Sequence, residues 1–293
     1  MSRVHIVTDS EATIEPSVAE RLDVTIVPLT VRISKDGSTE AAKVYQDGTG
    51  LDHEEVLFRM ARDRVRCHIV GPTAEQFRRV YSCLTRRTDQ IISLHSSASL
   101  SLVHREAQKA ANGFLGRCDI VVIDSETISL GLGILVQEAA QLARASLPLG
   151  EIVRQIRGMI RCVYVVLVTN TLDYLERSHL ISPAQVILGD MLGIKPFLAI
   201  EGGRIIPMEK VRNRDRAIDK LAEFASEFSH IEQMAILQST PYPTEETKML
   251  QERLALVLPG KEHPILLYGP LLASHIGPDG MGLVVYEGMD EGV

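Results

Sequence analysis

Three β-branched runs in the first half of the chain each stop abruptly at polar residues, and this pattern constrains the fold more than any other feature. Val4-His5-Ile6-Val7 runs into Thr8-Asp9-Ser10, Gln90-Ile91-Ile92-Ser93-Leu94 into His95-Ser96-Ser97, and Asp119-Ile120-Val121-Val122-Ile123 into Asp124-Ser125. Continuous apolar runs of this length read as strands buried on both faces, which is the situation in a parallel sheet covered by helices. Segments between them carry helical signals. Asp52–Asp63 has Glu54 and Glu55 in its first turn, with Leu51 or Asp52 near the cap. Thr73 is placed to N-cap a helix running to about Leu84. Another spans about Leu102–Phe114, and Gly131-Leu132-Gly133 opens a long one to about Ser146. Strands alternating with helices predict a βαβ sheet whose strand ends gather along one edge. Asp9-Ser10, the serine cluster from Ser96 to Ser101, and Asp124-Ser125 are therefore expected to converge there.

The pattern changes after a helix from Glu151 to Arg161 and a strand at Tyr164–Val168. Further strands are expected at Pro196–Glu201, Arg204–Ile206, Met234–Gln238, Pro264–Tyr268 and Gly282–Tyr286, with Gly202-Gly203 forming a tight hairpin turn. A chain of 293 residues exceeds what one core comfortably serves. The reading is a two-domain α/β protein: an N-terminal parallel, Rossmann-like domain over residues 1–160 and a C-terminal mixed or antiparallel α/β domain over 161–293. Ligand sites favour the seam between such domains.

Composition removes several function classes. A net charge of −7 disfavours a nucleic-acid binder, which needs clustered cations along a phosphate backbone. No run reaches the roughly 18 apolar residues of a membrane span, so no stable membrane insertion is expected. The first residues lack the pattern of a secretory signal, and a soluble, cytoplasmic protein is expected. Cys67, Cys83, Cys118 and Cys162 form no CxxC pair, the histidines show no metal-ligand spacing, and neither a metal nor a cofactor is expected. A dinucleotide reading of Gly131-Leu132-Gly133 fails because Val136 stands where GxGxxG needs its third glycine.

The order of four stretches resembles the DegV family of bacterial fatty-acid-binding proteins nearly end to end. These are Ile6-Val7-Thr8-Asp9-Ser10; Val122-Ile123-Asp124-Ser125 with Gly131-Leu132-Gly133; Leu192-Gly193-Ile194-Lys195-Pro196 with Gly203 and Lys210-Val211-Arg212; and His275-Ile276-Gly277-Pro278. The resemblance implies a long-chain fatty acid of the palmitate, stearate or oleate class in an interdomain tunnel, its carboxylate among hydroxyls near the interface. It also implies a lipid-binding protein rather than an enzyme, in some members the lipid-presenting subunit of a fatty acid kinase that makes acyl phosphate. Three family motifs are altered here. Thr-Ser-Gln-Pro appears as Ile69-Val70-Gly71-Pro72, Leu-Ser-Gly-Thr as Leu100-Ser101-Leu102-Val103, and Gly-Gly-Arg-Ile as Ser178-His179-Leu180-Ile181, without the arginine.

A carboxylate needs donors and an acyl tail needs a dry channel. Ser97, Ser101 and Thr73 offer hydroxyls and His275 a ring proton, and these are the candidate carboxylate-binding residues. Asp9, Ser10, Asp124 and Ser125 are candidates for supporting the loops, since an acidic side chain facing a fatty-acid head would repel it. Lys210 and Arg212 are candidates to face a negatively charged partner. The alternative reading is a stand-alone serine esterase or hydrolase, with a clustered serine, His275 and Asp124 or Asp9, although no serine sits in a GxSxG elbow.

Overall fold

The computed structural model describes residues 3–35, 42–48, 52–63 and 65–289. Its first half is built on strands β1 (His5–Asp9) and β2 (Val24–Val27) with helix α1 (Pro16–Leu22) between them, and on two later strands of the same parallel sheet. Pro28 follows β2, and a proline has no N–H to give a ladder, so the strand ends at Val27. It then forms β3 (Thr30–Lys35) and β4 (Lys43–Gln46), helix α2 (His53–Asp63) and β5 (Val65–Val70). Strands β4-β3-β5 form a separate antiparallel sheet. The cap of α2 that falls on Leu51 lies outside the described residues.

Helix α3 (Ala74–Leu84) starts at Thr73 in a full capping box with Gln76. Strand β6 (Gln90–His95), helix α4 (Val103–Ala111), strand β7 (Asp119–Asp124), and helices α5 (Leu130–Arg144) and α6 (Leu149–Met159) follow. The first sheet has the order β2-β1-β6-β7, every pair parallel.

The second half carries β8 (Val163–Val168), the short helices α7 (Asp173–Arg177) and α8 (Pro183–Met191), and the hairpin β9 (Lys195–Glu201) with β10 (Arg204–Val211). Helix α9 (Arg214–Ser226), β11 (Gln233–Gln238), α10 (Glu245–Val257), β12 (Ile265–Leu267), α11 (Pro270–Ile276) and β13 (Met281–Tyr286) complete it. The order β10-β9-β8-β13-β11-β12 is antiparallel except for β11 with β12, so the sheet is mixed. The chain is thus a two-domain α/β fold. Gly202 and Gly203 both have positive φ in the hairpin, the conformation a two-residue turn needs between twisted strands.

The layers follow from which faces are apolar. Helices α3 and α4 cover the outer face of the parallel sheet through Phe77, Tyr81, Val103 and Ala107. Helices α9 and α10 cover the outer face of the mixed sheet through Ile218, Leu221, Leu250 and Leu254. Between the sheets lies α5, whose Leu132, Ile134, Leu135, Val136 and Ala139 are all buried, as expected where its first two turns are apolar all round. Its close fit depends on glycine: a Cβ at Gly133 would stand 2.3 Å from the Thr13 carbonyl oxygen. One hydrophobic core therefore runs from Ile92 through α5 to Leu167 and Val284. Among the described residues no helix is long and apolar enough to cross a membrane.

Candidate functional site

The ends of β1, β6 and β7 converge as a closed polar network. Asp9 Oδ2 accepts from the Ser96 N–H at 2.9 Å and the Ser96 hydroxyl at 3.2 Å, and Oδ1 accepts from the Glu11 N–H at 3.1 Å. His95 Nδ1 lies 3.1 Å from Asp9 Oδ2, and its Nε2 lies 2.7 Å from Ser93 Oγ, which also accepts from the Tyr81 hydroxyl at 2.8 Å. Asp124 accepts from the Ala98 and Glu126 N–H groups, and the Ser125 hydroxyl donates to the Thr127 carbonyl. Ser10 donates to Asp47 at 2.6 Å and accepts from the Leu29 N–H at 3.0 Å.

Ser93, His95 and Asp9 reproduce the connectivity of a catalytic triad, but all three have zero exposure and Ser93 lies inside a strand. A nucleophile needs a path for substrate and a free lone pair directed at it. Here the serine is enclosed by Phe77 and Tyr81 packing, and the relay anchors the 95–101 loop to β1. His275 is bonded elsewhere, to Ser178.

The serines of the loop are similarly committed. Ser97 is fully buried and donates to the Gly203 carbonyl at 2.6 Å, tying the loop to the β9–β10 turn of the other domain. A Cβ at Gly203 would stand 2.4 Å from Ser97 Oγ. Ser101 Oγ is 3.2 Å from Ser96 Oγ and accepts a long bond from the Val103 N–H. The Thr73 hydroxyl is exposed and held in its capping box. Lys210 on β10 and Arg212 just beyond it are exposed on the mixed-sheet domain.

The loop's next residue, Leu100, opens onto a cavity of about 350 Å³ between the halves of the molecule. Ile69 and Cys67 of β5, Leu271 of α11 and Tyr174 of α7 supply much of its wall. Its polar residues include His68, Ser178, Ser274 and His275, and the cations Arg66 and Arg177 also line it. Arg177 lies over the Tyr174 ring, 5.5 Å from its centroid. Gly277 allows α11 to end against that ring, where a Cβ would meet Tyr174 at 2.8 Å.

His275 Nδ1 is 3.0 Å from Ser178 Oγ. Its Nε2 is buried without a hydrogen bond of acceptable geometry, although the Leu100 carbonyl is near enough to favour the protonated ring. Burial outweighs that effect and lowers the imidazole pKa, so the ring is neutral at physiological pH. If Nδ1 accepts from the Ser178 hydroxyl, the ring proton sits on Nε2, where the Leu100 carbonyl and an acceptor in the cavity compete for it.

A larger cavity of about 870 Å³ lies beyond the end of β1, lined by Ser10, Thr13, Asp47 and His53 with Ile14 and Ile26. Asp47 and Asp52 at its wall make it the poorer host for an anion. Among the described residues no group of three His, Cys, Asp or Glu side chains is arranged to hold a metal ion.

Sequence reasoning missed Arg66, Arg177, Ser178 and Tyr174. Arg177, the immediate chain neighbour of the altered Ser178-His179-Leu180-Ile181 stretch, and Arg66 from the antiparallel sheet both line this cavity.

The family model described as uncharacterised protein, DegV family, matches residues 3–288. The chain belongs to the DegV family. A DegV domain-containing protein of Streptomyces coelicolor is 32% identical over 288 residues, which cover 97% of this chain and 99% of the relative. A DegV family protein of Thermus thermophilus, described by its fatty acid binding, has 28% identity and a TM-score of 0.80, covering 97% of this chain and 99% of its own. A fatty acid binding DegV family protein of Streptococcus agalactiae has a TM-score of 0.84 over 99% of this chain and 100% of its own; at 22% identity it speaks for the fold alone.

Proposed function

We propose that this chain binds a long-chain fatty acid at the seam between its two domains, with the carboxylate at His275 and the acyl tail passing among Leu100, Ile69 and Leu271. The observation that carries this reading is the buried Nε2 of His275, which has no well-formed hydrogen bond, on the wall of a cavity lined also by Ile69, Leu100 and Leu271 and by two arginines. A buried donor without a partner is costly, and a ligand acceptor relieves it. A neutral imidazole N–H and the Arg66 and Arg177 guanidinium groups suit a carboxylate, and burial of the tail contributes about 0.8 kcal/mol per methylene before ordering costs. The fatty acid binding described for the Thermus thermophilus relative supports the same ligand class.

Ser101 neighbours Leu100 at the cavity and is the loop serine best placed to add a hydroxyl. Its bond to Ser96 is long enough at 3.2 Å to be exchanged for a stronger acceptor. Ser97 and Thr73 take supporting roles, holding the Gly203 turn and the start of α3. Exposed Lys210 and Arg212 suit an acidic partner such as the catalytic subunit of a fatty acid kinase, to which the bound carboxylate would be presented.

The test is mass spectrometry of the purified protein under native conditions and again after organic extraction. A fatty acid that travels with the native mass and appears in the extract supports the proposal. A protein that carries nothing and takes up neither palmitate nor oleate overturns it.

A further inference from the structure

Glu11 follows Ser10 in the turn after β1, and its carboxyl crosses to the other half of the molecule. Oε1 accepts a hydrogen bond of 2.6 Å from the N–H of Leu271, a residue 260 positions away in the chain, at the start of α11. Glu11 is 1% exposed. Oε2 has no partner and packs against Gly269, where a Cβ would stand 2.6 Å away. The contact therefore depends on a glycine at 269 and leaves half of the carboxyl's acceptors empty. A negative charge in that position would be desolvated, with the Leu271 N–H and His53 offsetting that cost only in part, whereas the neutral acid is tolerated.

The surrounding carboxylates act in the same direction, while His53 and the Leu271 N–H oppose them, each with smaller effect than Asp47. Asp9 on β1 and Asp47 just after β4 are acidic, and Asp47 already engages His53 of α2 at 2.8 Å and the Ser10 hydroxyl. Burial alone would lower the His53 pKa, but the bond and charge of Asp47 outweigh it and raise it. The Cys67 thiol on β5 is pushed up to about 12 by burial and then by Glu11 and Asp47, and it stays uncharged. From α11 the carboxyl meets the backbone N–H of Leu271.

We propose that Glu11 is a positioning residue for the seam cavity: as a neutral acid it seats α11, and its ionisation unseats that helix. Helix α11 supplies Leu271, Ser274 and His275 to the cavity wall, so the seating of the helix sets the geometry of the site. Burial, followed by Asp47, raises the carboxyl from 4.5 to about 8. The sign follows from linkage. The seated form holds a proton that a solvated carboxyl has released, so its advantage is complete below the ordinary value and is lost as pH rises through about 8.

The proposal rests on the fatty-acid reading for only one of its two readouts. Wild type and Glu11→Gln are compared between pH 7 and pH 9 by amide hydrogen exchange over residues 269–277 and by palmitate affinity. Glutamine keeps a carbonyl acceptor for the Leu271 N–H and cannot ionise. If the ionised form is unseated, protection relative to the Gln variant falls about tenfold across this range, and palmitate affinity falls with it. Taking the ratio to the variant removes the intrinsic pH dependence of exchange and of the fatty acid. Wild-type protection that tracks the variant at every pH overturns the proposal, whether or not palmitate binds. A pH-dependent ratio without any palmitate binding upholds the seating role and removes the fatty-acid reading. Should the variant not fold, wild-type exchange over 269–277 referenced to β13 decides the same question.

Discussion

His95 and His275 are both largely enclosed by this fold, yet they sit in opposite kinds of polar environment. His95 has both ring nitrogens engaged, one by Asp9 and one by Ser93, and the network around it closes on itself. His275 has one nitrogen engaged by Ser178 and the other unsatisfied at a cavity wall. A closed network contributes to folding and leaves nothing for a ligand, while an open one holds a donor in reserve at a cost in stability. The family motifs do not separate the two cases, because both lie in stretches rich in serine and histidine at the ends of elements.

Disrupting the closed network should produce the largest effect. Asp9→Ala leaves His95, both donors of Ser96 and the Glu11 N–H without their acceptor, and unfolding in urea should show a loss of about 3–5 kcal/mol. Gly203→Ala tests how far that network reaches into the second domain. The new methyl would collide with Ser97 Oγ at a residue with φ +75°, and a loss of about 1–3 kcal/mol is expected in the same assay.

The open side should respond in the opposite way. His275→Ala should change stability by less than about 1 kcal/mol while weakening palmitate about tenfold by calorimetric titration, the equivalent of one lost hydrogen bond to a carboxylate. A large stability loss with unchanged affinity would place His275 with His95. The smallest effect is expected for Lys210→Ala combined with Arg212→Ala. Both side chains are exposed, and thermal stability should move by no more than about 0.5 kcal/mol with palmitate affinity unchanged.

The fold was legible where one physical signal dominated. Runs such as Ile120 to Ile123 ending in Asp124-Ser125 specify buried strands, and Gly202-Gly203 specifies a hairpin. The β4-β3-β5 sheet was missed although β5 alternates Val65, Cys67 and Ile69 with Arg66 and His68, because a six-residue strand with that much charge is a weak signal beside its neighbours. The site was less legible for a different reason. Arg66, Arg177 and His275 come from three distant elements, and no local pattern relates them. Glu11 has no local pattern to mark it, and its meaning depends on Gly269 and Leu271 at the far end of the chain.

The central claim concerns where a carboxylate sits, and palmitate labelled with ¹³C at its carboxyl carbon reports on that directly by NMR. Bound to wild type it should give a single resonance distinct from free palmitate. That resonance should shift or disappear in His275→Ala and remain in place in Lys210→Ala. A bound resonance unchanged by the loss of His275 would put the carboxylate elsewhere and contradict the account.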